Sequence, residues 1–372
     1  MRVGSFEFNL RELAGSLGDF GTLLPLAIGY ITVCGLDPAG LLVMMGLANI
    51  VTGVVYRLPM PIEPMKVLAV VAIAQGWTPE KVYASGIVMG VIWLVMGAGG
   101  AMDFVARKTP RSVIRGIQLS LGAMLALQGI RMIGTWWLLG IASVIVILLL
   151  RRSRYAPASI VLVAGGILIM HMQGWPQGMQ GLSLSLPALT WIDPSLLWPS
   201  LRDAGLAQIP LTATNAVIAT SVLIGEYWPD RRVSNRQLAF NMGVMNLLVP
   251  LAGGMPMCHG AGGLAGQYYF GARTGGANIL EGTIEIALGL LLAGSIAALF
   301  AAFPLSIVGA MMLMVGVEMA KFSRDLRPNR HLIPVVATLA ASLAFNMAVG
   351  FAAGLLVHYS MEKVVSRGKK AP

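Results

Sequence analysis

Long apolar segments, separated by short clusters of Lys and Arg, run along almost the whole length of this sequence. A stretch of about 20 apolar residues is long enough to cross a lipid bilayer as a helix. Of the 372 residues, 56% are hydrophobic and only 11% are charged, roughly half the charged fraction of an average soluble domain. The sequence therefore predicts an all-α, polytopic membrane protein. Its net charge of +10 reflects the basic clusters between spans, and we expect no nucleic-acid partner.

Fourteen apolar segments can be assigned as transmembrane spans. They are 10–33, 38–57, 61–76, 80–104, 111–131, 135–150, 155–173, 203–227, 235–252, 256–271, 276–300, 303–320, 331–346 and 347–364. With both termini in the cytoplasm, all but four of the 26 Lys and Arg residues fall on the cytoplasmic side, as the positive-inside rule requires. The exceptions are Lys66, Lys81, Arg131 and Arg202. We therefore expect a multi-pass protein of the cell (inner) membrane, surrounded by lipid.

The two halves of the sequence share local features. Segments 58–66 and 253–260 each contain a Met-Pro pair, and each precedes a short span, the third and the tenth. Because seven spans is an odd number, a second copy of the first half inserts upside down. We therefore predict two inverted seven-span repeats, 1–175 and 203–372, joined by an extracytoplasmic linker, 176–202. Paired short segments interrupted by Pro or Gly at corresponding positions indicate a binding site at the repeat interface.

The stretch 253–273 cannot be an ordinary spanning helix, because a proline and six glycines between Gly253 and Gly266 interrupt it. Broken backbone at membrane depth is tolerated where it lines a cavity. A short helix that begins there directs free N–H groups and the positive end of its dipole into that cavity. We predict two half-helices, the third and the tenth, whose N-termini meet near the midplane and bind an anion. The alternative is a glycine-rich face that packs helices together.

Candidate substrate-binding residues lie at the two half-helix starts and among the polar residues of spans one and eight. They are Pro64, Met65, Lys66, His259, Gly260, Ala261, Gly262, Gly263, Thr22, Thr212 and Asn215. A cation in the first turn of a helix is unfavourable unless an anion lies nearby, so Lys66 favours an anion site. Alternatively, Lys66 pairs with Glu63 or reaches the cytoplasm. His259 either donates to the anion or changes its protonation, or it has a structural role.

Acidic residues inside a membrane are costly and usually functional. The candidates for proton coupling are Glu63, Asp19 and Glu226, with Glu63 first because it adjoins the predicted site. The sequence contains no cluster with metal-ligand spacing, no nucleophile elbow and no P-loop. We therefore expect no enzymatic activity, no metal and no cofactor, and a membrane scaffold is the alternative to a transporter.

Several of these segments resemble the MOT1-type molybdate transporters, a branch related to the sulfate permeases (SulP/SLC26). The segments are 60–66, 255–265, 268–275, 18–22 and 211–215, so the resemblance covers nearly the whole chain. It implies a fold of two inverted seven-span repeats with a core domain and a gate domain, and commonly a homodimer. It also implies a secondary active transporter for a tetrahedral oxyanion, first of all molybdate, with tungstate and sulfate left open.

The sequence departs from this family at Glu63, where the family usually has Gln. The chain also ends about eight residues after its last predicted span, so we expect no C-terminal soluble regulatory domain. A sulfate permease is the near alternative. A proton-coupled nucleobase permease of the same fold is more distant, because the acids expected for it in span ten are absent from 256–271.

Overall fold

The Gly and Pro residues that interrupt the apolar segments divide the chain into many helices. The computed structural model describes residues 2–18, 20–150, 158–176, 181–321, 324, 326, 332–345 and 347–368. The helices are α1 (Leu10–Ser16), α2 (Phe20–Thr32), α3 (Pro38–Tyr56), α4 (Lys66–Gln75), α5 (Pro79–Ala98), α6 (Ala101–Arg107), α7 (Arg111–Ile133), α8 (Trp137–Leu150), α9 (Ala158–Met172), α10 (Leu197–Ser200), α11 (Leu206–Leu211), α12 (Thr220–Tyr227), α13 (Asn235–Leu248), α14 (Ala261–Phe270), α15 (Gly276–Leu291), α16 (Ala293–Ala302), α17 (Leu305–Ala320), α18 (Leu332–Ala344) and α19 (Met347–Gly368). Short 3-10 turns occupy Gly134–Trp136, Pro194–Leu196 and Val249–Ala252.

Two antiparallel pairs of two-residue strands interrupt the predicted all-α architecture within the described ranges. The pair β1 (Arg2–Val3) with β2 (Phe6–Glu7) is a local hairpin. The pair β3 (Glu63–Pro64) with β4 (Met257–Cys258) instead joins the two halves of the sequence. The helical class of the fold is confirmed, and the long-range strand pair is a feature that the apolar periodicity could not predict.

Some predicted spans consist of more than one helix. Span 80–104 divides at Gly99–Gly100, where Gly100 has a φ of +67° that glycine adopts without strain. Span 276–300 bends by 99° between α15 and α16. Span 203–227 contains Pro210, which has no N–H to donate, and the backbone widens into a π-helical turn over Thr212–Ala219. Span eight, which contacts the junction described below, therefore contains backbone that is π-helical and not α-helical.

Four described helical runs are long and apolar enough to cross a membrane by length and composition. They are Pro38–Tyr56, Pro79–Ala98, Arg111–Leu150 and Gln208–Tyr227. The bent pair α15–α16 would provide a fifth. The predicted fifth and sixth spans form one run of 40 residues, because only a 3-10 turn separates α7 from α8. A multi-pass membrane protein follows from these runs, and the number of fourteen spans stays a prediction.

The principal helix pairs join the two halves of the sequence. α3 packs against α15, α5 packs against α13, and α7 packs against α17. In the sequence α3 and α5 flank α4, just as α13 and α15 flank α14. Each flanking helix therefore packs against a flanking helix from the other half. Two structurally related halves that face each other would exchange packing partners in this way.

Glycine lets α3 and α15 approach backbone to backbone. A Cβ on Gly46 would lie 2.5 Å from the carbonyl oxygen of Gly282, and a Cβ on Gly282 would overlap the carbonyl oxygen of Gly46. Membrane helices associate through such small residues because lipid tails are as apolar as the helices themselves. Close van der Waals packing therefore takes the place of a hydrophobic driving force. Glycine therefore packs two helices together here, at a pair outside the stretch 253–273 for which the sequence left that role open.

We expect Gly282→Ala to lower the stability of the purified protein, because α3 or α15 must move to admit the methyl group. Overpacking of this kind costs about 1–3 kcal/mol, which thermal unfolding in detergent would detect. Gly165→Ala in α9 is the matched control, since a Cβ there would meet no described atom within 4 Å. Equal melting temperatures for the two variants would contradict the close contact.

Candidate functional site

The strand pair β3–β4 brings together the two segments that the sequence singled out. Prolines hold the residues before them in extended geometry, so the chain cannot continue from α3 as a helix through this region. Glu63 lies opposite Cys258 in the ladder. The Met65 N–H donates to the Pro256 carbonyl at 3.0 Å and extends the pairing by one bond. The two segments therefore form one junction between the halves.

The short helices α4 and α14 both begin at this junction. Met65 is the N-cap residue of α4, and its side chain does not bond the first turn. Gly260 is the N-cap residue of α14 and has no side chain that could do so. The first N–H groups of a helix have no partner within the helix, so they need an oxygen from elsewhere. Each first turn is thus a candidate position for a polar ligand.

Two buried asparagines hold the backbone of the junction. Asn246 in α13 donates from Nδ2 to the Met257 carbonyl at 2.6 Å and accepts the Met257 N–H at 2.8 Å. Asn278 in α15 does the same for Met60, donating at 2.6 Å and accepting at 2.8 Å. Neither asparagine was among the residues predicted for the site. An amide in an apolar helix was the only signal for them, and it does not reveal the partner.

A buried glutamine supplies the oxygen for the first turn of α4. Gln208 in α11 accepts through Oε1 from the Val67 N–H at 2.8 Å and from the Leu68 N–H at 3.2 Å. Its Nε2 donates to the Thr212 hydroxyl at 2.7 Å, and 1% of the residue is exposed. No feature of the sequence singled out Gln208 either. Here an amide oxygen of the protein occupies a position that was predicted for an anion.

The carboxylate of Glu63 lies against the first turn of α14. A Cβ on Gly260 would overlap Oε2 of Glu63, and a Cβ on Gly263 would overlap Oε1. Glu63 is fully buried. The two glycines are therefore required where the Glu63 carboxylate packs, and the positive end of the α14 dipole already faces a negative charge from the chain itself.

Lys66 forms the ion pair with Glu63 that the sequence analysis gave as an alternative. Lys66 Nζ lies 2.9 Å from Oε2 of Glu63, and 25% of the Lys66 side chain is exposed whereas Glu63 is fully enclosed. A buried carboxylate is tolerated because such a partner compensates its charge. Lys66 is thus the partly accessible charged group of the junction.

Both ring nitrogens of His259 are engaged in contacts within the protein. Nδ1 lies 3.2 Å from the Pro61 carbonyl, and Nε2 lies 2.9 Å from the side-chain oxygen of Asn241. The His259 ring also meets the Tyr56 ring edge to face at 5.9 Å between centroids. These contacts tie β4 to the segment before β3 and to α13, so the geometry favours the structural role of His259.

The other predicted residues fall in four groups. Ala261 and Gly262 lie buried in the first turn of α14. Thr212 and Asn215 lie buried in the π-helical turn, where Thr212 contacts Gln208 and the Asn215 side-chain oxygen has no hydrogen-bond partner among the described residues. Asp19 lies outside the described residues, and of Thr22 only its helical backbone in α2 is described. Glu226 instead pairs with Arg115 of α7 at 2.6 Å.

Solved membrane anion transporters share this fold. The transmembrane domain of a cyanobacterial bicarbonate transporter, BicA, superimposes with a TM-score of 0.59 at 18% identity, over 93% of this chain and 97% of that one. Murine Slc26a9, an anion transporter in the inward-facing state, gives a TM-score of 0.64 at 14% identity, over 99% of this chain and 70% of that one. The fold is therefore that of the SLC26 and BicA class of membrane transporters.

Sequence comparison identifies the family within that class. The chain matches the family described as "Molybdate transporter of MFS superfamily" over residues 11–125 and 200–319. It is 31% identical to Molybdate transporter 1 of Arabidopsis thaliana, over 95% of this chain and 88% of that protein. It is 30% identical to Molybdate transporter 1 of Chlamydomonas reinhardtii, over 93% and 90%. The chain belongs to the molybdate transporter family, as the sequence motifs predicted, and this family consists of transporters, not enzymes.

Proposed function

We propose that the chain is a secondary active transporter whose substrate is a tetrahedral oxyanion, most simply molybdate. The observation that supports the substrate site is the β3–β4 pair, which sets the starts of α4 and α14 side by side. N–H groups and helix dipoles favour an anion at such a junction. Lys66 adds a positive charge that is partly accessible.

Transport would follow alternating access between two inverted seven-span repeats, with the α4 and α14 starts near the membrane midplane. The exchange of partners between α3, α5, α13 and α15 supports this symmetry. We also propose a homodimer in the cell (inner) membrane, with both termini in the cytoplasm. The basic clusters between spans support this orientation.

Substrate binding at this junction requires an exchange of ligands within the protein. The first turn of α4 is satisfied by Gln208, and the first turn of α14 faces Glu63. An incoming dianion therefore has to take the place of the Gln208 amide oxygen, the Glu63 carboxylate, or both. Glu63 repels a dianion when ionised and does not when protonated, which gives a physical reason for proton coupling.

Flux measurements in proteoliposomes test the proposed function. We expect the purified protein to move molybdate down an imposed gradient and sulfate or tungstate to compete according to size. A proton gradient is expected to accelerate uptake. Absence of molybdate flux from folded, reconstituted protein would reject the function, and preferential sulfate flux would identify a sulfate permease.

We expect Glu63→Gln to retain molybdate binding while flattening its pH dependence. An amide cannot ionise, so the linkage between protonation and dianion binding disappears. Among the described residues, Lys66 pairs with Glu63 and Cys258 lies opposite it, and neither of them is altered in this variant. Molybdate titrations between pH 5 and 8 would measure the effect. A variant with the wild-type pH profile would show that Asp19, Glu226 or another group carries the proton.

A further inference from the structure

A cavity of about 670 Å³ opens between the start of α7, the end of α12 and the start of α13. No residue that lines it is among the candidate substrate-binding residues of the β3–β4 junction. Four charged side chains are among its described lining residues: Arg111, Arg115, Arg232 and Glu226. Three positive charges and one negative charge leave the cavity with a net positive field.

The Arg115–Glu226 ion pair divides these charges into two groups. Arg115 Nη1 lies 2.6 Å from Oε1 of Glu226 and also donates to Gln118 at 2.9 Å. Arg111 and Arg232 are exposed at the cavity, and Arg111 begins α7 after Pro110, whose side chain cannot cap the helix. The α7 dipole therefore adds positive potential to that of Arg111. The cavity attracts an anion even while Glu226 holds Arg115.

We propose that this cavity is a second binding site for a tetrahedral dianion, which collects the transported oxyanion at one face of the bundle. The assignment of the dianion as the transported species rests on the proposed function. A cavity lined by charges of one sign raises the local concentration of oppositely charged substrate. The basic clusters that flank it in the sequence place it on the face predicted to be cytoplasmic.

The ion pair is also a link between two parts of the fold. It joins α7 to α12, and the residue after Glu226, Tyr227, stacks on Tyr268 of α14 with centroids 3.6 Å apart and ring planes 7° apart. A dianion that recruits Arg115 competes with Glu226 for the guanidinium. Occupation of the cavity therefore weakens the α7–α12 contact next to the helix that carries the candidate substrate site.

Kinetics of flux from the cavity side test this site. At an ionic strength of about 0.01 M, Arg232→Ala is expected to raise the KM for molybdate roughly three- to tenfold without changing kcat, because only local concentration falls. Arg236→Ala is the matched control, because it removes the same charge from an exposed position two residues past the α13 N-cap that does not line the cavity. The difference should shrink at about 0.15 M salt, where screening is stronger. Equal KM values for the two variants would overturn the proposal.

Glu226→Gln and Arg115→Ala separate anion binding from a structural ion pair. Neutralising Glu226 makes the cavity more positive and releases Arg115, so KM should fall, whereas Arg115→Ala should raise it. If both variants raise KM, the pair only stabilises the fold and the proposal is wrong.

A binding measurement distinguishes failure of this site from failure of the proposed function. In a Lys66→Ala background, molybdate in a neutral detergent should still raise the melting temperature, and Arg232→Ala but not Arg236→Ala should reduce that increase. Retained stabilisation without any wild-type transport would reject the proposed function alone. An equal loss of molybdate stabilisation in both arginine variants would reject the second site. So would a melting temperature that rises only with phosphatidylglycerol vesicles and not with molybdate.

Discussion

Gly260→Val is expected to reduce molybdate uptake by at least roughly a hundredfold, which corresponds to about 2.7 kcal/mol. Gly260 has φ −110° and ψ 129°, an extended conformation that valine adopts readily, so backbone strain does not contribute. The effect comes from space, because the first carbon of a side chain would overlap the Glu63 carboxylate. Uptake by reconstituted protein, normalised to the folded fraction, measures it.

Two further variants isolate the cause of the glycine requirement. Gly165→Val places the same side chain in a helix where its Cβ would meet no described atom within 4 Å, and it should retain uptake. Glu63→Ala in the Gly260→Val background removes the carboxylate that the new side chain meets, and it should recover folded protein. No recovery would show that Gly260 is required for another reason, such as close approach of the substrate. Full uptake by Gly260→Val alone would remove this junction from the transport path.

Lys66→Ala is expected to weaken molybdate binding roughly ten- to a hundredfold, or about 1–3 kcal/mol. The ammonium group is the accessible positive charge at the junction, and its removal also leaves the buried Glu63 carboxylate without this ion pair. Removing one partner of such a pair leaves a buried charge less well compensated, which is unfavourable. Part of the measured loss will therefore belong to Glu63 and part to the substrate.

A double-mutant cycle with Glu63→Gln separates the two parts. With the acid neutralised, Lys66→Ala should still cost roughly tenfold in affinity if Lys66 contacts the dianion, equal to about 1.4 kcal/mol. Lys81→Ala is the control, because Lys81 also forms a part-buried ion pair, with Asp203 at 2.7 Å. No residual cost in the Glu63→Gln background would mean that Lys66 serves the acid only.

Gln208 and Glu63 change how the two helix starts at the junction can bind an anion. In isolation, the first turns of α4 and α14 attract an anion through free N–H groups. In this protein both turns already face an oxygen of the chain, one neutral and one a carboxylate. For the proposed site, the affinity for a dianion is the difference between binding the dianion and binding these two side chains. We therefore expect both residues to affect release as well as binding.

The sequence by itself determined the membrane class, the family, and the two segments that meet at the junction. The family follows from the resemblance of motifs such as 60–66 and 255–265 to the molybdate transporters. The membrane class and the two segments follow from local composition, because long apolar runs fit a bilayer and clustered Gly and Pro break helices within it. The positions of Lys66, Gly260 and Gly263 at the helix starts follow from the same local pattern. Lys66 was predicted either to lie near an anion or to pair with Glu63. The structure shows the ion pair with Glu63, and contact with an anion stays a prediction.

Only the tertiary structure decided which side chains complete the junction. Gln208 meets Val67 across 141 residues of sequence, and Asn278 meets Met60 across 218. Periodicity identifies an amide in an apolar helix but not the backbone group that it will satisfy, since that depends on how α3, α5, α13 and α15 pack. The β3–β4 pair and the Glu63 carboxylate over α14 have the same origin. Both features form only when the two halves of the chain are in contact.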